Sequence, residues 1–512
     1  RTGTTKYEMN FPTKEANGHA AEPFTCQMSK FQILKNLFVV SFGFVFLFTA
    51  FQSMANLQSS LNKEEGVGTA SLSTLYGALV VSCMFVPPIL IAHLGCKWTI
   101  PLSMCGYVLY MGANFYAVWG TMIPAAIILG LGAAPLWSAK CAYLTETGIW
   151  YAKLTGQSED ATINRFFGIF FMIFQTSQIW GNLISSTVFS PTPENGTTLN
   201  VTNDLNKCGA NFDPIDPPAN NTNLKKPEQN QVYLLCGIYI GCAVAAVIII
   251  SVLLDKIILE KDERRQGRPS PKLLIATFKH LISSPAQLLL IPLTIYSGVE
   301  QAFISGDYTK SYITCSLGIW NVGYVMICYG VVDAICSFSF GRMVQYVGHI
   351  PFFILGLYSC LITLLFWIPD PDAIVIFYVL AALWGMGDAV IQTQINAFYG
   401  FLFKDNTEPA FANYRLWESV GFIFAYAYND FIVTNIKIYV CMAFLVVGMA
   451  GYGTVEVICD RPQSSYLLSD PFALLSSVEE SATGSDGRPI KINPIKINRF
   501  VIPVVYVFLF KK

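Results

Sequence analysis

Twelve stretches of about 20 residues, each almost wholly apolar, dominate this chain. They run over 37–57, 72–92, 99–118, 122–142, 166–188, 232–254, 286–306, 319–340, 351–368, 373–395, 414–434 and 438–457. An α-helix of about 20 residues crosses the hydrocarbon core of a bilayer. In lipid the backbone must also satisfy its own polar groups, so segments of this length are read as helices. Charge is correspondingly scarce: 13% of the 512 residues are charged, against roughly 25% in soluble domains. That is too little to coat a water-soluble globule, which excludes a cytosolic enzyme, a secreted disulfide scaffold and a disordered regulator. The expected class is an all-α membrane protein, solvated by lipid.

Chemistry-bearing motifs do not appear. Net charge is -1 with no basic face, which argues against nucleic acid as a partner. The 14 cysteines contain no C-x-x-C pair and the four histidines no ligand spacing, and no phosphate-cradling glycine loop follows a strand pattern. Neither catalysis nor a cofactor nor a metal is expected. Most cysteines lie in apolar runs and read as small buried hydrophobes.

Orientation follows from the cations. With residues 1–36 as a cytoplasmic tail, every Lys and Arg falls on the cytoplasmic side except Lys63, Lys207, Lys225, Lys226, Lys310 and Lys437. The tail has no apolar run, so the first span is expected to start insertion. The long polar loop 189–231 falls outside, and it carries three N-x-[ST] sequons, at Asn195, Asn200 and Asn220. Three in one loop point to a glycosylated external face. Cys208 in this loop, with Cys236 and Cys315 near the outer ends of spans, allows one disulfide among the three or three free thiols.

The charged segment 255–285 divides the spans six and six. It reads as a cytoplasmic linker between an N-terminal bundle, 37–254, and a C-terminal bundle, 286–457, with 458–512 as a cytoplasmic tail. Gly130-x-Gly132-x-Ala134 in the fourth span recurs as Gly385-x-Gly387-x-Ala389 in the tenth, and Gly77 and Gly95 are spaced like Gly323 and Gly341. Such matches point to parallel repeats. The layout, twelve transmembrane helices in two six-helix halves, resembles the major facilitator superfamily, whose third, sixth, ninth and twelfth helices face lipid. Ionisable residues should avoid those helices, since one at the bilayer centre costs about 2.5–3.5 kcal/mol on insertion scales. They do, apart from Glu456 at the cytoplasmic end of the twelfth: Lys140, Glu300, Asp333, Asp388, Glu418 and Asp430 fall in the fourth, seventh, eighth, tenth and eleventh spans. The superfamily's charged motif after the second helix is eroded here to His93-Leu94-Gly95-Cys96-Lys97-Trp98, which puts rocking transport in doubt.

At segment level the chain resembles the Unc-ninety-three family, an atypical branch of that superfamily. The likeness is carried by Phe51-Gln52-Ser53-Met54-Ala55-Asn56, by Pro135-Leu136-Trp137-Ser138-Ala139-Lys140, by Asn164-Arg165-Phe166-Phe167-Gly168 and by Trp384-Gly385-Met386-Gly387-Asp388. It spans roughly residues 30–460. The resemblance implies a multi-pass plasma-membrane protein without catalysis. Some members are associated with potassium-channel regulation, and others escort receptors to endolysosomes. The reading is therefore an accessory subunit of an ion channel. The alternatives are a secondary transporter of a small solute, coupled to protons through Glu300 or Asp388, and a trafficking escort.

Individual residues keep two readings each. Lys140 either pairs with Asp388 across the cavity or snorkels to the cytoplasmic interface beside Glu146. Glu300 and Asp333 are either proton-linked acids or structural groups capped by Gln301, Asn321 or backbone. Gly237-x-x-x-Gly241 either seats a partner helix or packs within the bundle. In the tail, Asp470-x-x-x-Leu474-Leu475 matches a dileucine sorting signal, and the apolar run 500–510 is too short to span.

Overall fold

Helix formation begins at Ser29, whose hydroxyl accepts from the Gln32 amide at 3.3 Å while the Gln32 side chain accepts from the Ser29 amide at 2.8 Å. This reciprocal capping satisfies two of the free donors at a helix start. From there the computed structural model is almost entirely helical. It describes residues 7–8, 25–26, 28–190, 205–218, 221–257, 279, 281–347, 358–403 and 407–458. The sequon asparagines Asn195, Asn200 and Asn220, most of the segment 255–285, the dileucine match and the run 500–510 lie outside the described residues. Before the first helix, Tyr7–Glu8 pairs antiparallel with Thr25–Cys26.

The helices are α1 (Lys30–Leu61), α2 (Val67–Ala113), α3 (Trp119–Thr155), α4 (Glu159–Phe189) and α5 (Gln229–Leu253). After the segment 258–278 come α6 (Pro285–Ala302), α7 (Trp320–Val347), α8 (Ser359–Phe366), α9 (Ile374–Val390), α10 (Asn396–Leu402), α11 (Thr407–Tyr428) and α12 (Thr434–Ile458). α2 holds two expected spans, separated where Gly95 takes φ +71°, a left-handed value open to glycine. α6 runs on as a π-helical stretch, Phe303–Thr314, beyond its expected end. Nine of the described helical segments are long and apolar enough to cross a membrane. α4 and α11 have the length but not the hydropathy, because they carry polar residues such as Gln175 and Asn182, or Arg415 and Glu418. The expected segment 351–368 is described only from residue 358.

Packing is duplicated. In the first set α1 lies against α4 and α5, and α2 against α3; in the second, α6 lies against α11 and α12, and α7 against α9. The sets meet where α4 touches α7 and where α11 touches α2, the same contact with the sets exchanged, as parallel repeats require. The matched glycines explain part of this. A Cβ on Gly130 would strike the Leu75 carbonyl of α2, and one on Gly385 the Tyr329 carbonyl of α7. Both positions let two backbones approach closely. Gly77 has no such role, with nothing within 4 Å, whereas its counterpart Gly323 abuts the Asn182 carbonyl.

The core of the first set is aromatic: Phe44, Phe48, Trp137, Phe170 and Phe174 interlock, with Phe48 and Phe174 edge-to-face at 5.0 Å. This is the preferred aromatic geometry. Tight packing of Gly237 and Gly241 within the bundle is not what forms. α5 buries Tyr239, Ala243 and Ala246, which turns both glycines to the opposite face with nothing within 4 Å.

Candidate functional site

Four helices of the second set converge on a polar seam. α6 supplies Glu300, α7 Tyr329 and Asp333, α9 Trp384 and Asp388, and α11 Arg415 and Glu418. All four acids are buried, so none faces lipid. Glu300 accepts from the Trp384 indole at 2.5 Å, and Asp388 accepts from the Tyr329 hydroxyl. Asp333 accepts from Gln175 of α4 at 3.1 Å and from Ser337 at 3.2 Å. This contact of Asp333 with α4 joins the two sets. The expected caps of Glu300 do other work: Gln301 donates to the Ser297 carbonyl and Asn321 to the Leu317 carbonyl.

Glu418 alone among these acids meets a cation, Arg415, at 2.6 Å. It also accepts from Ser297 at 3.1 Å. The Arg415 side chain is 58% exposed while that of Glu418 is 7% exposed, so the pair carries charge from the interior to an accessible surface. Sequence reasoning passed over Arg415, Tyr329 and Trp384. The first lies at the expected boundary of its span, and aromatic donors carry no polar signal of their own.

Neither reading of Lys140 describes its place. Its ammonium meets no carboxylate among the described residues, and at 1% exposure it does not reach the interface. It stands instead among four rings, with centroids of Phe170, Trp137, Phe171 and Phe167 at 4.4, 4.8, 4.8 and 5.2 Å. The negative faces of these rings offset part of the desolvation of a buried cation. The four-fold contact clamps α3 to α4.

A second cluster lies at the end of the bundle that carries the loop between α4 and α5. Lys437 pairs with Asp307 at 2.5 Å, both fully buried, and Lys310 pairs with Asp430 at 2.7 Å. Thr69 of α2 donates to the same Asp430, and Ser60 of α1 bonds Thr314 at 3.0 Å. The last two of these contacts, from Thr69 and Ser60, pin the first set to the second. The loop completes the closure. Cys208 and Cys315 are joined by a disulfide, with Cα atoms 5.8 Å apart, while Cys236 is a buried thiol. Asn221 donates to the Cys315 carbonyl at 2.7 Å, Asn223 to the Ser316 carbonyl at 2.9 Å, and the Thr434 amide to the Phe212 carbonyl at 3.0 Å. The loop is thus a strap, rooted between α4 and α5 and stapled onto the second set.

Beneath the strap is a pocket of about 440 Å³ lined by Lys63, Lys310, Asp430, Phe212 and Leu224. Lys63 donates to the Leu224 carbonyl at 2.5 Å. Burial, with the Lys310 cation beside it, lowers its pKa from the ordinary lysine value. Among the described residues no group of three or more His, Cys, Asp or Glu is placed to hold a metal ion.

Comparison with known proteins gives a consistent picture. A family model described as ion channel regulatory protein UNC-93 matches residues 59–452. The chain is 51% identical over 429 residues to protein unc-93 homolog A of Xenopus laevis, covering 83% of this chain and 93% of that one. It is 37% identical over 440 residues to the Caenorhabditis elegans unc-93 protein, which is named for potassium channel regulation, covering 83% of this chain and 61% of that one. Among solved structures, a mutant of the nucleoside transporter NupG superposes with TM-score 0.57 at 12% identity, over 83% of this chain and 99% of that one. At that identity the likeness shows the fold: multi-pass, helical, of the major facilitator type.

Proposed function

The chain belongs to the UNC-93 family, and from that premise we propose that it is an accessory subunit of an ion channel, a potassium channel by analogy with its nematode relative. It acts at the plasma membrane through lateral helix contacts and without covalent chemistry. Both ends of the chain face the cytoplasm and the strap faces outside, with glycans on Asn195, Asn200 and Asn220. The observation that carries this reading is the closed strap end. A carrier of this fold must part its two sets at that end to admit solute. Here a disulfide, the Thr69–Asp430–Lys310 contact and the Ser60–Thr314 bond hold them together. Such a body suits a partner-binding role better than a rocking one.

The test is co-expression of the full chain with candidate potassium channels, followed by affinity purification in mild detergent and current recording. Co-purification with altered current supports the reading. Solute flux in liposomes containing the chain alone, with no channel retained, overturns it. The outward face of α5 is the surface to probe. Gly237→Leu with Gly241→Leu fits the open space there, so it should leave the melting temperature unchanged and reduce channel recovery.

A further inference from the structure

Glu300, Asp333 and Asp388 are buried with no cation: none of the ion pairs among the described residues includes them. Uncompensated buried charge is costly, and a buried acid meets that cost by pairing or by taking up a proton. Counting donors oxygen by oxygen locates where the proton is needed. Oε2 of Glu300 has the Trp384 indole and Oδ2 of Asp388 has the Tyr329 hydroxyl. Oε1 of Glu300 and Oδ1 of Asp388 are both fully buried and have no donor, and the two carboxyls are neighbours, since the Trp384 that holds Glu300 stands one helical turn before Asp388 on α9. Two carboxylates in that relation cannot both be ionised, while one shared hydrogen satisfies both orphan oxygens.

We propose that Glu300 and Asp388 form a proton-binding site, in which one proton held on Glu300 Oε1 is donated to Asp388 Oδ1 and bridges α6 to α9. Glu300 is the acid of the pair because it is 0% exposed against 4% for Asp388, and the more deeply buried carboxyl is the costlier one to ionise. Calcium or magnesium does not suit the place, since they take six to eight oxygens and only two carboxylate oxygens of the pair are without a donor.

The groups facing the pair are Tyr296 of α6, Tyr329 and Asp333 of α7, Trp384 of α9, Glu418 of α11 with Arg415 committed to it, and Cys441 of α12. None is a cation free to replace the proton. Losing it leaves two negative charges in contact between α6 and α9, so those helices are driven apart. The site is therefore a point at which acidity sets how firmly the second set holds together. It does not depend on a channel partner.

The experiment is infrared spectroscopy of the full purified chain in mild detergent, in water and in deuterium oxide. A protonated carboxyl band that shifts on deuteration is expected at neutral pH. It should be lost in Glu300→Gln and moved, not lost, in Asp388→Asn. Melting temperature is the second readout, and its sign follows from the proton being bound in the folded state. Wild-type stability should fall from mildly acidic to mildly alkaline pH as the proton is released. Glu300→Gln, which keeps a hydrogen-bond donor at every pH, should flatten that slope. No protonated carboxyl band in the wild type, or an identical band in both variants, overturns the proposal. So does a melting temperature that follows sodium or potassium concentration and not pH.

Discussion

Asp307 and Lys437 show what single residues cost inside this molecule. Each is fully buried and the partner of the other at 2.5 Å, and Lys437 also donates to the Asn429 carbonyl. Removing one member of such a pair strands the other charge, at about 3–5 kcal/mol, whereas replacing both with apolar groups is often neutral. Asp307→Ala should therefore lower stability by about that amount. Asp307→Leu combined with Lys437→Met should recover most of it, as read by thermal unfolding in detergent. Lys140 behaves differently because rings, not a carboxylate, surround it. Lys140→Met gives up about 0.5–2 kcal/mol of cation–ring attraction but no longer buries a charge, so the two effects oppose. Its unfolding midpoint should stay close to wild type. A collapse would mean that the ammonium has a partner beyond the rings.

At the scale of helices, the duplicated glycines make a prediction that sequence position alone does not. Gly130 and Gly385 sit where a side chain would strike the backbone of the neighbouring helix, while Gly77 faces open space. Leu at position 130 or 385 should cost at least the roughly 1–3 kcal/mol of an overpacked core, visible as a lower melting temperature or loss of a monodisperse peak. Gly77→Leu should be tolerated. The spans themselves were legible because an apolar run of span length has few alternatives in lipid. The repeat was legible because close helix contacts demand small residues in both sets. What escaped was set by distant partners. Residues 307–314 fall between the expected spans 286–306 and 319–340, yet the helix continues there as a π-helical stretch because Asp307 and Lys310 find Lys437 and Asp430, 130 and 120 residues away. Lys140 was read by its charge alone, and the ring cage comes partly from α4, which spacing along α3 does not reveal. The disulfide was one of three possible pairings until the docked loop selected Cys208 and Cys315.

For the whole molecule, the strap changes how the two sets are connected. By chain order they are joined through the charged segment 255–285; the disulfide adds a second covalent tie at the strap end, closing a loop with a sequence separation of 107 residues. Closing a loop of that size restricts the unfolded chain by about 4–5 kcal/mol in the chain-entropy model. It also tethers the second set to the first through the strap at that end, since Cys208 lies in the loop between α4 and α5. A protease site placed within residues 258–278 makes this visible. After cleavage, the two fragments should run as one band on a denaturing gel without reductant and as two bands with it. Cys208→Ser should give two bands in both lanes. If the uncut strap were merely resting on the second set, wild type would separate without reductant, and the closed end would then depend on the Thr69–Asp430–Lys310 contact and its hydrogen-bonded neighbours. The bonds that cross between the sets are individually modest, about 1.5–3 kcal/mol for Thr69 to the Asp430 carboxylate and about 1 kcal/mol for the neutral Ser60–Thr314 pair, and thermal motion would open them. The gel therefore decides whether the strap is fastened covalently to the second set or only rests on it.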